Sequence, residues 1–214
     1  AMYDLTIIGA GWAGYSAALH AKELGKSVCL IEKSDIGGTC LNRGCIPTKF
    51  LVHTAKQILS LKKSVAYGLQ VSSFNFDFKN TIINKNELIA KLRSSMENEL
   101  KSKKVDVVKS GAKIISTDQI KVESGIIDTK NIIVATGSRP VEFPDLKFDG
   151  KRFISSDDLL NIDSIPESLL IVGGGVIGCE FATIFNSLGT NVTMVELLER
   201  ILPTEDREVS KKLE

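Results

Sequence analysis

The 214-residue sequence carries only two histidines, one tryptophan and four cysteines, and no apolar run that approaches membrane-spanning length. Each shortage excludes something. One close cysteine pair and two separate histidines do not make the paired four-ligand pattern of a structural zinc site, so no metal is expected. The chain opens almost directly into the strand-like DLTIIG, with no basic region, apolar run and cleavage site ahead of it, so a cytoplasmic location is expected. Ala1 in front of Met2 reads as a residue left by cloning. In a reducing cytosol a stable structural disulfide is disfavoured. An excess of one charge is missing too: 27 Lys and Arg face 26 Asp and Glu, interspersed, which argues against a nucleic-acid groove or a membrane-surface patch. The remaining composition, 43% hydrophobic and 25% charged, suits a chain that buries a core.

What is present is a repeat. DLTIIGAGWAGYSAALHAKELGKSVCLIE, residues 4–32, aligns without a gap with SLLIVGGGVIGCEFATIFNSLGTNVTMVE, residues 168–196. Each copy passes from an apolar strand through GxGxxG into an amphipathic helix that ends at a glycine, Gly25 or Gly189, and then into a second strand closed by glutamate. This predicts β-α-β twice in an α/β fold. Between the copies, helices are expected at about 47–63 and 85–103, a polar connection at SSFNFDF, and short strands at VDVVK, AKIIS, IKVES and NIIVAT. The sum is a Rossmann-like βαβ core with a small inserted β-sheet, then the start of a second Rossmann-like domain. The proline-containing stretch 138–153 is the expected linker, giving domains 1–150 and 151–214.

Glycine-rich turns of this kind place a dinucleotide pyrophosphate at a helix N-terminus, where unpaired N–H groups and the helix dipole face the anion. Gly9 permits the tight turn, Gly11 the approach of backbone to phosphate and Gly14 the close packing of helix on strand. Gly173, Gly175 and Gly178 correspond in the second copy, with Val176 and Ile177 between them. Glu32 and Glu196 each lie 23 residues past the first glycine, the spacing of a carboxylate that binds ribose hydroxyls. At the second site this charge would repel a 2′-phosphate, which favours NAD over NADP. Two such sites suggest a flavin and a nicotinamide exchanging hydride.

Residues 37–49, GGTCLNRGCIPTK, carry the close pair Cys40 and Cys45. Metal ligation, a structural staple, apolar filling and redox work compete here. The redox reading requires bridging distance and a thiolate-stabilising setting, and the pair sits near a helix start with Lys49 close by. Gly37 and Gly38 would let backbone pass beside a large flat ring, or serve as simple turn residues. Cys29 and Cys179 read as packed residues, and His20 and His53 as helical surface residues.

Together with GAGWAG, ATGSRP at 135–140 and GGGVIGCE at 173–180, this segment resembles the pyridine nucleotide-disulfide oxidoreductases, nearest their dihydrolipoamide-oxidising branch. The resemblance implies an FAD held by Gly9, Gly11, Gly14, Glu32, Lys33, Gly38, Thr39, Gly111 and Ala112, with Thr136 and Gly137 near the ring. It implies that Cys45 packs on the flavin as the charge-transfer sulfur and that Cys40 is the interchange thiol. Lys49 would approach the flavin and pair with Glu180. NAD would bind at the second glycine loop, the substrate would be a dithiol or disulfide such as lipoamide, and the enzyme would be a homodimer. The family is about twice this length. The resemblance therefore also implies that the His–Glu acid–base pair, a second FAD segment and the interface domain lie outside these residues, and that the chain alone is a poor enzyme. A mercuric-reductase-like relative and a non-catalytic nucleotide-binding fragment remain alternatives. Arg43 reads as an exposed turn residue, Val176 as the absence of an aromatic gate over nicotinamide, and Trp12 as packing.

Overall fold

The computed structural model describes residues 2–214; Ala1 lies outside the described residues. Two compact units emerge, each built from two stretches of chain: the chain up to Ile46 with Glu87–Val141, and Pro47–Asn86 with Glu142–Glu214.

In the first unit, β1 (Leu5–Ile8) and β2 (Val28–Glu32) pair in parallel, connected by α1 (Trp12–Glu23). All five β2 residues are buried, as expected of an inner parallel strand covered on both faces. Next come α2 (Gly38–Arg43) and the first residues of α3 (Cys45–Lys63). After the far part of α4 (Phe78–Ser102), β3 (Asp106–Lys109) adds outside β2 and β7 (Ile132–Val134) outside β1, giving the parallel order β3-β2-β1-β7. Between them, β4 (Lys113–Ile114), β5 (Gln119–Val122) and β6 (Gly125–Asp128) form an antiparallel three-stranded sheet. One face of the parallel sheet buries Ile7 and Leu30 with Ala18 of α1 and Met96 and Leu100 of α4. On the other face Cys29 and Ile31 pack with Ile120 and Val122 of the small sheet. The Cys29 thiol is pushed up to about 12 by burial and then by the Asp106 charge, so it behaves as an apolar filler.

In the second unit, β8 (Ser168–Val172), α6 (Val176–Leu188) and β9 (Asn191–Val195) repeat the strand–helix–strand pattern, followed by α7 (Arg207–Leu213). Its core joins Phe181, Ile184 and Phe185 of α6 to Leu51 of α3, Phe78 of α4 and Leu160, which follows the short α5 (Ser156–Leu159).

The twofold β-α-β pattern and the small inserted sheet appear as the sequence predicts. Two details differ. VDVVK and NIIVAT belong to the parallel sheet, and the third strand of the small sheet is GIID, reached by a tight turn into Gly125 at φ 139°. Helix α4 starts at Phe78 rather than near residue 85, because the Asp77 carboxylate accepts the Asn80 N–H at 2.9 Å and caps it. The stretch 138–153 has no helix, but the Asp149 carboxylate gathers the N–H groups of Lys151, Arg152 and Phe153 at 2.8–2.9 Å.

One residue in the second unit has a measurable pH signature. Lys85 on α4 is 1% exposed, and its ammonium donates to the Leu160 carbonyl and, at 3.2 Å, to Asn161 Oδ1. Burial lowers its pKa from 10.5 to about 8. Between those values the unfolded chain holds a proton that the folded chain has released, so stability contributed here rises with pH. Cys29, Tyr3 and Tyr15, pushed up to about 12, act in the opposite sense and do so equally in a Lys85 variant. Urea unfolding of the unsubstituted protein should therefore gain up to about 3 kcal/mol relative to Lys85→Met between pH 8 and 10.5. Parallel pH curves for the two proteins would contradict this account.

Candidate active site

The first glycine loop is built by backbone contacts that leave no room for side chains at Gly9 and Gly14. Gly9, at φ 104°, donates its N–H to the Ile31 carbonyl at 2.8 Å, and a Cβ on it would overlap the Ala135 carbonyl oxygen, with Thr136 just behind. A Cβ on Gly14 would overlap the Gly9 carbonyl oxygen. Gly11 caps α1 without any side-chain hydrogen bond, and a Cβ on it would meet only the Gly38 Cα, at 3.6 Å. Gly37 donates to the Ala10 carbonyl at 2.8 Å, which seats the cysteine segment directly beside the loop. The start of α1 thus lies next to Gly38 with no side chain capping its N–H groups, an arrangement that suits an anion. Gly175 repeats this arrangement at the start of α6, with nothing near its Cβ position and no side-chain cap. Val176 and Ile177 open that helix with exposed side chains.

The two glutamates do something the sequence reading did not anticipate. Glu32 accepts the Ala10 N–H at 2.8 Å through one oxygen and the Ser34 N–H and hydroxyl at 2.8 and 3.1 Å through the other. Glu196 accepts the Gly174 N–H at 2.6 Å and the Leu198 N–H at 2.9 Å. Burial alone would raise the Glu32 carboxyl, but the N–H donors outweigh it and hold the group below the usual carboxylate range. The N–H groups of Leu198 and Gly174 lower Glu196 in the same way. Each acid therefore fastens its own glycine loop. The identical spacing in both copies serves loop geometry.

Glu32, Ser34 and Ile36 also line a cavity of 470 Å³ that continues along Val105 and Val107 to Lys101 and Lys104. Gly111 and Ala112 follow β3 and are not among its lining residues, and Lys33 and Thr39 are exposed beside their neighbours. Thr136 and Gly137 follow β7, with Ala135 N–H bonded to the Ile8 carbonyl at 2.8 Å.

The cysteine pair comes together as two thiols. Cys40 lies half-buried in α2, and Cys45 is the exposed first residue of α3. The two thiols lie close enough to act on each other electrostatically. Burial pushes the Cys40 thiol up, and Cys45 adds to the rise, while the Trp12 side chain pulls it the other way. The sequence reading expected a setting that favours thiolate; at Cys40 desolvation wins. Trp12 is half-exposed and stands edge-on to Tyr15, with ring centroids 6.0 Å apart, so it packs as expected. Lys49 on α3 and Glu180 on α6 form an ion pair inside the second unit. Cys179 is buried and its thiol donates to the Gly174 carbonyl at 3.4 Å. His20 faces Glu23 at 3.5 Å, His53 is an exposed α3 residue, and Arg43 is the exposed last residue of α2.

The family model for pyridine nucleotide-disulphide oxidoreductases matches residues 3–214. The chain belongs to this family. Among curated relatives it is 37% identical to a dihydrolipoyl dehydrogenase of Bacillus subtilis, over 99% of this chain and 48% of the relative. It is 41% identical to that of Chlorobaculum parvum, over 100% and 46%. Among solved structures, the HOCl-induced flavoprotein disulfide reductase RclA from Escherichia coli superposes with a TM-score of 0.84 at 35% identity, over 99% of this chain and 46% of that one. The chain spans about half the length of the curated relatives it matches. No described helix is long and apolar enough to cross a membrane.

Proposed function

We propose that this chain is the portion of an FAD-dependent, NAD-coupled disulfide oxidoreductase that carries the redox disulfide, and that the whole enzyme oxidises dihydrolipoamide to lipoamide. The observation that carries the reading is the placement of two interacting thiols beside an uncapped helix N-terminus, with Gly38 against Gly11. In this proposal residues 1–150 form the FAD-binding domain and 151–214 the opening part of the NAD-binding domain. Gly9, Gly11, Gly14, Glu32, Lys33, Gly38, Thr39, Gly111, Ala112, Thr136 and Gly137 would hold the FAD, which supplies hydride and electron transfer. Gly173, Gly175, Val176, Ile177, Gly178 and Glu196 would hold the NAD. Cys40 and Cys45 alternate between dithiol and disulfide, and Lys49 with Glu180 sets the charge on α3 one turn beyond Cys45. The whole enzyme would be a cytoplasmic homodimer.

Similarity to RclA favours a second reading, in which another disulfide is the physiological oxidant or product of the same cysteine pair. Both readings share one test. In oxidised, FAD-reconstituted protein two of the four cysteines should be unreactive to a thiol reagent after denaturation. The first two electrons added should bring the count to four while flavin absorbance is retained. Bleaching of the flavin from the first addition, with no new thiols, would refute a redox role for the pair and leave the non-catalytic alternative.

A further inference from the structure

We propose that Arg93 is a positioning residue for the Cys40–Cys45 pair, acting through Asn42. The inference rests on the reading of that pair as a redox disulfide, and its experiment separates the two.

Asn42 lies between the cysteines in α2, a helix of only six residues whose N-cap, Gly37, sits at φ 102° and offers no side-chain cap. The segment needs another anchor. Asn42 supplies it by donating its amide to the carbonyls of Ile36 and Gly38, both at 3.0 Å. These two bonds tie the cysteine-bearing turn to the loop that precedes it, and they leave the amide oxygen to find a donor. That donor is Arg93, from the middle of α4, whose Nε and Nη2 reach Asn42 Oδ1 at 3.1 and 2.8 Å. The third guanidinium nitrogen, Nη1, meets Asp35 Oδ2 at 3.3 Å. One planar, permanently charged fork therefore holds the turn at residue 35 and again at residue 42, on either side of Gly37 and Gly38. Arg93 is 29% exposed, so solvent competes only partly for these bonds.

The consequence for chemistry is geometric. A disulfide tolerates a narrow range of Cα separations and dihedrals, so the ease of closing it depends on how tightly Cys40 is held opposite Cys45. Between them Gly44 takes an irregular conformation, φ −141° and ψ −107°, so the helix hydrogen-bond ladder does not run on from Cys40 to Cys45. Stiffness must come from Asn42 and, behind it, Arg93.

Equilibration with glutathione measures this directly. Protein dithiol and glutathione disulfide give protein disulfide and two reduced glutathiones: one sulfur–sulfur bond breaks, one forms, and both thiol protons end on glutathione. In the FAD-reconstituted protein, Arg93→Ala should lower that equilibrium constant about tenfold, as expected when two reacting groups lose their fixed relative placement. Arg93→Lys should fail to restore it, because an ammonium cannot make the forked contact. Asn42→Ala should lower the constant by a similar factor, and the double variant should be no worse than either single one. An unchanged constant in Arg93→Ala, with oxidised and reduced forms destabilised equally, would overturn the positioning role. So would additive effects in the double variant, or full rescue by lysine. If the unsubstituted protein itself forms no Cys40–Cys45 disulfide against glutathione, the redox reading fails first, an outcome no Arg93 result can imitate.

Discussion

Gly14→Ala should destabilise the protein by about 4 kcal/mol and abolish FAD binding, whereas Gly11→Ala should cost about 1 kcal/mol and lose FAD binding alone. The two glycines are three residues apart in one motif, yet their surroundings are opposite. A methyl group on Gly14 would overlap the Gly9 carbonyl oxygen and stand 3.2 Å from Ile7, with backbone on one side and sheet on the other. Neither is the free end of a flexible side chain, so α1 would have to lift from β1, undoing contacts of Ala18 and Ile7 in the main core. Against a typical total stability of about 5–15 kcal/mol this is a large fraction. On Gly11 the same methyl meets only the Gly38 Cα at 3.6 Å, ordinary contact, at φ −69° where alanine is unstrained. What it fills is the space in front of the free α1 N–H groups. Urea unfolding followed by circular dichroism, with FAD titration of each variant, separates the effects. A stable Gly14→Ala protein, or normal FAD affinity in Gly11→Ala, would show that this loop is not a phosphate cradle.

Alkylation should strike Cys45 before Cys40 in FAD-free protein, and FAD should reverse the order. Thiol reagents attack thiolate that solvent can reach. Cys45 is exposed at the first position of α3, whereas Cys40 is half-hidden and burial pushes its thiol up. If the flavin packs on Cys45, as the proposed site requires, that advantage disappears and Cys40 becomes the accessible sulfur, the behaviour demanded of an interchange thiol. Peptide mass mapping after brief iodoacetamide treatment reads the order, and Cys40→Ser and Cys45→Ser identify each product. Continued labelling of Cys45 at saturating FAD would exchange or abolish the roles proposed for the two cysteines.

The repeat made much of the fold legible, because glycines at fixed spacing mark a turn that needs them at Gly9 and Gly14, and the copies agree even in hydrogen bonding. Gly9 N–H to the Ile31 carbonyl and Gly173 N–H to the Val195 carbonyl are the same bond twice. Local chemistry misled where a single side chain decided a boundary, as Asp77 does for α4. Which sheet a short apolar run joins is a long-range matter: β3 and β7 look like β4 and β5 in sequence, and only their pairing with β2 and β1 distinguishes them. The cysteine segment could be found from its own residues. Its support could not, since Arg93 lies 51 positions from Asn42 and reads alone as one more charge on a helix. The Lys49–Glu180 pair spans 131 positions and was reachable only through family resemblance.

The chain passes from one compact unit to the other three times, after Ile46, Asn86 and Val141, and the first two passages fall within α3 and α4. A cut in the irregular stretch beyond Val141 would therefore release no autonomous piece. The second unit owes Leu51, Phe78 and Ile82 to residues far upstream of that cut, and without them Phe181 and Phe185 would face water. Protease nicking there should leave two strands of polypeptide that stay associated through a shared interior, so that fragment complementation, rather than domain separation, is the behaviour this wiring dictates.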